Sequence, residues 1–235
     1  MARYRSEDVA NAFWEGAGGR ARFGSPADVE RAAARVLPVA VHRVASLHTG
    51  AVVRFLCRVG ADPWLDGAPR PLRGCLIADA GKALILVDRD DPVDEQRMTI
   101  AHEVAHLLLH YLKPREEAVT AFGPRILAVL DRTRPATPGE KLSAALRNVP
   151  IEPFRHAMDR GHTGHAGVIS AMEDEADDLA VELLAPWREL RAMRGGGPGP
   201  LRERFGLPAP VAARLAGVIG RPRTSPGVIG LFRQK

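Results

Sequence analysis

The sequence predicts a mixed α/β (α+β) domain in which a small β-sheet packs beside a buried helix. Two short apolar runs, 74–78 and 83–87, flank Ala80-Gly81-Lys82, a pattern that is typical of a β-hairpin. Directly after the second run, Asp91-Pro92 is a helix start signal, and the chain from there to about 112 is rich in apolar residues. A hairpin followed at once by an apolar helix indicates that the two elements bury each other.

The remaining elements are predicted from hydrophobic periodicity and from turn residues. Residues 37–44 are apolar and β-branched and predict a strand. Ser25-Pro26 is expected to begin a helix, and the chain from 149 to 170 is expected to be irregular. The segments with helical character are 6–15, 26–36, 49–59, 115–131, 140–148, 170–185 and 200–219, the last as two short helices joined at Gly206-Leu207-Pro208.

The chain length of 235 residues suits one medium domain with small helical additions. We expect an N-terminal helical segment at 1–36 and a central domain at 37–190. This domain carries an insertion at about 115–170, and a small C-terminal helical segment follows at 191–235.

The cysteine content and the N-terminus favour a cytoplasmic protein. Cys57 and Cys75 form no CxxC pattern, and so few cysteines favour a reducing compartment. No apolar signal core follows the charges of the first eight residues. No stretch approaches 18 uninterrupted apolar residues, so we expect no membrane span.

The basic charge leaves direct nucleic-acid binding open without favouring it. The formal net charge is +5 with a pI near 9.7. However, the basic residues form no long run, and aromatic residues, which stack on bases, make up only 5% of the chain.

The segment His102-Glu103-Val104-Ala105-His106 carries the chemistry, because it has the pattern H-E-x-x-H on a predicted helix. Residues four apart lie on one helix face, so His102 and His106 can bind one zinc ion. Glu103 lies about 100° round the helix, so its carboxylate misses the metal but reaches a water bound to it. Zinc lowers the pKa of such a water towards ~7, and Glu103 can then act as the general base. We therefore predict Zn²⁺ as the cofactor.

A catalytic zinc needs a third protein ligand, and the acidic start of the helix at 170–185 is the best source. Glu173 is expected to bind zinc. Asp177, one turn later, is expected to accept a hydrogen bond from a ligand histidine. Glu175 or a histidine from elsewhere in the chain remains as an alternative third ligand. The competing interpretation is an acidic first turn that only favours the helix dipole.

The sequence around these residues resembles the ImmA/IrrE family of metallo-endopeptidases. The resemblance lies in Ile85–Asp88, Asp91-Pro92, Thr99–His110 and Glu173–Pro186. It implies a zincin-like fold, in which a small β-sheet packs against the HExxH helix, and a metallopeptidase domain at 37–190.

The same resemblance implies a cytoplasmic zinc endopeptidase that cleaves a transcriptional repressor, expected to be a helix-turn-helix protein. Such cleavage would switch on mobile-element or stress-response genes. By position, His102 and His106 would be metal ligands, Glu103 the catalytic base and Glu173 the third ligand. The alternatives are a non-catalytic metal-binding regulatory or interaction module, and a peptidase partner in a toxin–antitoxin pair.

The insertion adds histidines that the resemblance does not account for. His156, His162 and His165 lie in it, and they are either part of a surface loop or a source of one further ligand or stabilising group. His110, one turn beyond His106, is interpreted as structural, because no Gly turn would bring it back to the metal.

Overall fold

A four-stranded sheet forms the centre of the fold in this computed structural model. The structure describes residues 5–60, 68–147, 149, 156–159, 168–193 and 197–220, with the backbone alone at 156–159 and 168–170. The strands are β1 (Val39–Val44), β2 (Leu72–Asp79), β3 (Lys82–Asp88) and β4 (His156–Asp159), in the spatial order β1-β3-β2-β4. β1 runs parallel to β3, and β2 runs antiparallel to β3 and β4. The predicted mixed α+β class is therefore confirmed.

The predicted β-hairpin is confirmed as β2 and β3. The register pairs Asp79 with Lys82, so Ala80 and Gly81 form a two-residue turn. Both have positive φ, 47° and 78°, which is the type I′ geometry that matches the twist of the flanking strands. Gly81 suits this conformation because it has no Cβ. Its N–H donates a hydrogen bond of 2.8 Å to the Oη of Tyr111, which ties the turn to the neighbouring helical segment.

Replacing Tyr111 by Phe is expected to lower the free energy of unfolding by about 1 kcal/mol, the usual net value of one hydrogen bond. The substitution keeps the buried ring and removes only the hydroxyl that accepts the Gly81 N–H. Urea denaturation followed by circular dichroism measures the change as a lower midpoint with an unchanged slope. An unaltered midpoint would show that water replaces the hydroxyl without cost.

Helices surround the sheet. They are α1 (Ser6–Gly16), α2 (Val29–Val36), α3 (Thr49–Arg58), α4 (Val93–His106), α5 (Lys113–Phe122), α6 (Leu127–Leu130), α7 (Pro138–Arg147), α8 (Val168–Leu184), α9 (Trp187–Ala192), α10 (Pro198–Phe205) and α11 (Ala209–Ile219). Short 3₁₀ turns lie at Arg20–Phe23 and Pro124–Ile126. A π-helical turn, Leu107–Leu112, continues α4 without a break into α5.

Two predicted helix starts are wrong by one to three residues. α2 begins at Val29, because the side chain of Asp28 accepts the Arg31 N–H at 3.0 Å. The hydroxyl of Ser25 contacts the carbonyl of Arg204 instead of capping a helix. α4 begins at Val93, with Pro92 at the N-cap position and without a side-chain capping bond there.

Two longer predictions also need correction. The helix expected at 115–131 ends at Phe122, because Gly123 takes a φ of 77° that an α-helix cannot continue. The chain resumes as a 3₁₀ turn and α6. The region expected to be irregular, 149–170, contains β4, which pairs with β2 from Leu72 to Leu76. Strand pairing across such a sequence distance leaves little local signal.

The sheet is covered on both faces. On one face, α3 contributes Val52 and Leu56 to a small core with Leu72 and Leu86. On the other face, Leu76, Ile85 and Val87 join a large core formed mainly by α1, α2, α4, α8, α10 and α11. This explains why β2 and β3 are almost continuously apolar instead of alternating.

Small residues line the contact between α4 and α8. Ala101 and Ala105 on α4, and Ala176 and Ala180 on α8, are fully buried in the same core. These small side chains let α4 and α8 approach closely, which brings the polar residues of the two helices together. The large core includes residues from all three predicted segments of the chain, and the division at 36 and 190 stays a prediction.

None of the helices in the described parts of the chain combines the length and the apolar character needed to cross a membrane.

Candidate metal centre

α4 and α8 bring together the three predicted metal ligands. His102 and His106 are buried on one face of α4, and their Nε2 atoms lie 3.0 Å apart. Glu173 on α8 places Oε2 3.4 Å from His102 Nε2 and Oε1 3.5 Å from His106 Nε2. One donor atom from each residue lies within 4.8 Å of the others. The role of these residues as ligands stays a prediction, but their proximity is a finding.

The donor atoms fit a zinc ion. A tetrahedral zinc with ligand distances of about 2.0–2.2 Å separates its donor atoms by roughly 3.3–3.6 Å. The two Nε2 atoms are 3.0 Å apart, slightly less than this edge length, and each has one Glu173 oxygen near it, Oε2 at 3.4 Å from His102 and Oε1 at 3.5 Å from His106. Two imidazoles and one carboxylate are also a donor set that catalytic zinc sites use. The three residues would therefore hold zinc without a large rearrangement.

Asp177 lies where the sequence predicted it. Its Oδ1 is 2.8 Å from His102 Nδ1, one turn of α8 beyond Glu173. An ionised carboxylate can only accept a hydrogen bond, so Nδ1 of His102 carries a hydrogen and Nε2 faces the donor cluster. The contact orients that ring, and a role for Asp177 in supporting a metal ligand stays a prediction.

The charge distribution favours a cation at this position. Burial opposes the charged form of His102, but the hydrogen bonds to Asp177 and Glu173 outweigh it and raise the pKa of His102 to about 10. The two carboxylates that stabilise a proton on this imidazole would equally stabilise a divalent ion beside it.

Glu103 is fully buried between α4 and strand β2. Burial is the main cause that raises its pKa to about 8; the charge of His102 lowers it and that of Glu173 raises it. Gly74 in β2 makes room for this side chain, since a Cβ built there would lie 2.8 Å from Glu103 Oε1 and 2.5 Å from Thr99 Cγ2. The sequence reasoning missed Gly74 as a site residue, although a glycine inside an apolar strand is a known signal of close approach.

Replacing Gly74 by Ala is expected to destabilise the fold by about 1–3 kcal/mol, because the new methyl group overpacks the contact between β2 and α4. Gly139→Ala is the matched control, since its Cβ would meet nothing within 4 Å. That control sits in α7, where Ala is the better helix former, so it should be neutral or slightly stabilising. Urea unfolding of both variants measures the difference, and equal midpoints would reject the close approach.

His110 and Glu175 form a second polar arm of the site. His106 Nδ1 and His110 Nδ1 are 2.9 Å apart, and His110 Nε2 lies 3.6 Å from Glu175 Oε2. The structure thus places Glu175, the alternative third ligand, beside His110 and puts Glu173 at the donor cluster. Burial lowers the pKa of His110, which favours its neutral form. The signal for this arm was the second interval of four residues, from His106 to His110.

The other predicted histidines remain untested. His162 and His165 lie outside the described residues, and of His156 only the backbone, at the start of β4, is described. A ligand or stabilising role for one of them stays a prediction.

Comparison with known proteins supports the family predicted from the sequence. Residues 67–128 match the model of Peptidase_M78, described as the IrrE N-terminal-like domain. No curated protein and no solved structure matches the chain. The matched stretch contains the hairpin, α4 and the H-E-x-x-H motif, whereas Glu173 and Asp177 lie beyond it. Residues 67–128 are therefore similar to the IrrE N-terminal-like domain, and the predicted resemblance to the ImmA/IrrE family is confirmed over this stretch.

Proposed function

We propose that the chain is a zinc-dependent endopeptidase of the HExxH type. The observation that carries the proposal is the triangle of donor atoms from His102, His106 and Glu173, with Glu103 at the adjacent position of α4. A structural zinc site uses four protein ligands, whereas three leave one position for a reacting group. Glu103 also favours catalysis, because metal binding alone does not require a buried carboxylate next to the ligands.

The chain's own residues have separate tasks in this reaction. A bound zinc ion supplies Lewis-acid chemistry that polarises a carbonyl and acidifies water. Glu103 accepts a proton from the attacking water and delivers it to the leaving nitrogen of the cleaved peptide bond. Asp177 holds His102 in the tautomer that keeps Nε2 directed at the metal position.

The arrangement also supports a zincin-like fold as part of the proposal. The motif helix α4 packs against the sheet through its contact with Gly74, and the acidic ligand comes from α8, later in the chain. β4 pairs with β2 at Gly74, so the sheet borders the catalytic carboxylate directly.

We propose a helix-turn-helix transcriptional repressor as the substrate, and the cytoplasm as the compartment. Both follow from the resemblance to the ImmA/IrrE family, in which the peptidase relieves repression of mobile-element or stress-response genes. A peptidase partner in a toxin–antitoxin pair is the variant of this proposal with a different protein substrate.

A cleavage assay with and without metal tests the proposal. The purified chain is incubated with the product of the gene next to its own, and the products are identified by mass spectrometry. We expect about one zinc per chain, a single internal cut, loss of cutting after chelation and recovery on adding zinc. His102→Ala is expected to lose both zinc and cutting. Cleavage that persists in the chelated protein would rule out a metallopeptidase.

The non-catalytic alternative receives little support from the C-terminal helices. α10 and α11 bury Leu201, Phe205 and Leu215 in the large core, as packing elements do. Arg202 and Arg204, two of the arginines available for phosphate contacts, form ion pairs with Asp94 and Glu189. Zinc binding without cleavage of any repressor would nevertheless favour this alternative over the enzyme.

A further inference from the structure

We propose that His110 and Glu175 form a positioning chain that orients His106 and raises its basicity as a metal ligand. The inference rests on the metal centre of the proposed function and extends it to two residues outside the donor set. Neither residue contacts the zinc position in this arrangement; both act through His106.

The hydrogen positions follow from the contacts. His106 Nε2 belongs to the donor triangle, so the hydrogen of its neutral ring is on Nδ1. That hydrogen is donated over 2.9 Å to His110 Nδ1, which must then accept. His110 consequently carries its own hydrogen on Nε2, which lies 3.6 Å from Glu175 Oε2. The hydrogen bond from His106 to His110 therefore has one direction, and the Glu175 carboxylate is in electrostatic contact with the far side of the His110 ring.

His110 lies in the π-helical turn at Leu107–Leu112, in which the Lys113 N–H donates to the carbonyl of Leu108, five residues earlier. His110 follows His106 at the same interval of four residues that separates His102 from His106. The ring centroids of His106 and His110 lie 4.9 Å apart. Such turns cost helix regularity and are frequent at functional sites.

The two histidine ligands would then be supported in parallel ways. His102 donates directly to the carboxylate of Asp177, and His106 donates to His110, whose Nε2 faces the carboxylate of Glu175. α8 supplies all three acidic groups, Glu173 to the metal position and Asp177 and Glu175 to the supports. A supported imidazole is held in one tautomer and binds metal more tightly, and loss of such support typically weakens metal affinity about 10–100-fold.

Zinc affinity tests the positioning chain independently of peptidase activity. Competition with a chromophoric chelator gives the dissociation constant of wild type, Glu175→Gln, His110→Leu and the double variant. We expect each single variant to bind zinc about tenfold or more weakly. Because Glu175 acts through His110, Glu175→Gln should have no further effect in the His110→Leu protein. Asp174→Asn, which removes the same charge at the neighbouring position, should bind as wild type does.

A second pair of variants separates positioning from packing. In His110→Gln, the amide oxygen can still accept from His106, so affinity should recover relative to His110→Leu but should no longer depend on Glu175. If His110→Leu does not fold, His110→Gln with and without Glu175→Gln decides the question.

Each outcome has one meaning. Wild-type affinity in Glu175→Gln, or fully additive losses in the double variant, would overturn the positioning chain while leaving the metal centre intact. If the wild-type protein binds no zinc, the proposed function is wrong, and the positioning chain is wrong with it.

Discussion

The Glu103→Gln protein is expected to hydrolyse its substrate about a thousandfold more slowly than wild type, within the 10²–10⁴ range of a lost general base. Glutamine has the same shape as glutamate, so the packing against Gly74 and Thr99 is retained. It cannot take a proton from water, however. Glu103 lies outside the donor triangle, so the variant should still contain about one zinc per chain. Single-turnover cleavage and metal analysis of the same sample measure the two effects separately.

Glu116→Gln is the matched control for this change, because its side chain on α5 is 70% exposed. The same loss of a carboxylate at an exposed position should leave both cleavage and zinc content at wild-type levels. If Glu103→Gln cleaves at the wild-type rate, Glu103 is not the base. If it loses zinc instead, the residue supports the metal centre and the thousandfold effect has another cause.

The parts of the site that could be predicted from sequence are those set by local geometry. His102, Glu103 and His106 lie within one and a half turns of a single helix, so the pattern alone fixes which side chains share a face. The hairpin was predictable for the same reason, because the two-residue turn at Ala80-Gly81 sets the register of both strands. Asp177 followed from the same helical rule once Glu173 was chosen.

The parts that could not be predicted depend on contacts between distant segments. The pairing of β4 with β2 joins strands about 80 residues apart. It is stabilised by packing against side chains from other parts of the chain, which the local sequence does not indicate. The role of Gly74 depends on where α4 crosses the sheet. The contact of His110 with Glu175 depends on how α8 packs beside the π-helical turn, which the local sequence does not indicate.

Glu173→Ala is expected to lower zinc affinity about 100- to 1000-fold and to abolish cleavage at ordinary zinc concentrations. A four-ligand structural zinc site binds with about 10–16 kcal/mol, so one ligand accounts for roughly 3–4 kcal/mol. At about 1.4 kcal/mol per factor of ten, this gives the expected loss. Chelator competition measures the affinity, and thermal unfolding of the metal-free protein checks that the fold is unchanged.

Two companion variants make the result specific to the geometry of Glu173. Asp174→Ala changes the neighbouring carboxylate of α8 and should keep wild-type affinity, because the donor atoms at the metal position belong to Glu173. Glu173→Asp keeps the charge but withdraws it by one methylene group from donors that are already 3.4 and 3.5 Å away. Its affinity should therefore fall between wild type and Glu173→Ala. If all three bind zinc equally, Glu173 is not a ligand and the third ligand lies elsewhere. If Glu173→Asp is as weak as Glu173→Ala, position matters more than charge, as a direct bond to the metal requires.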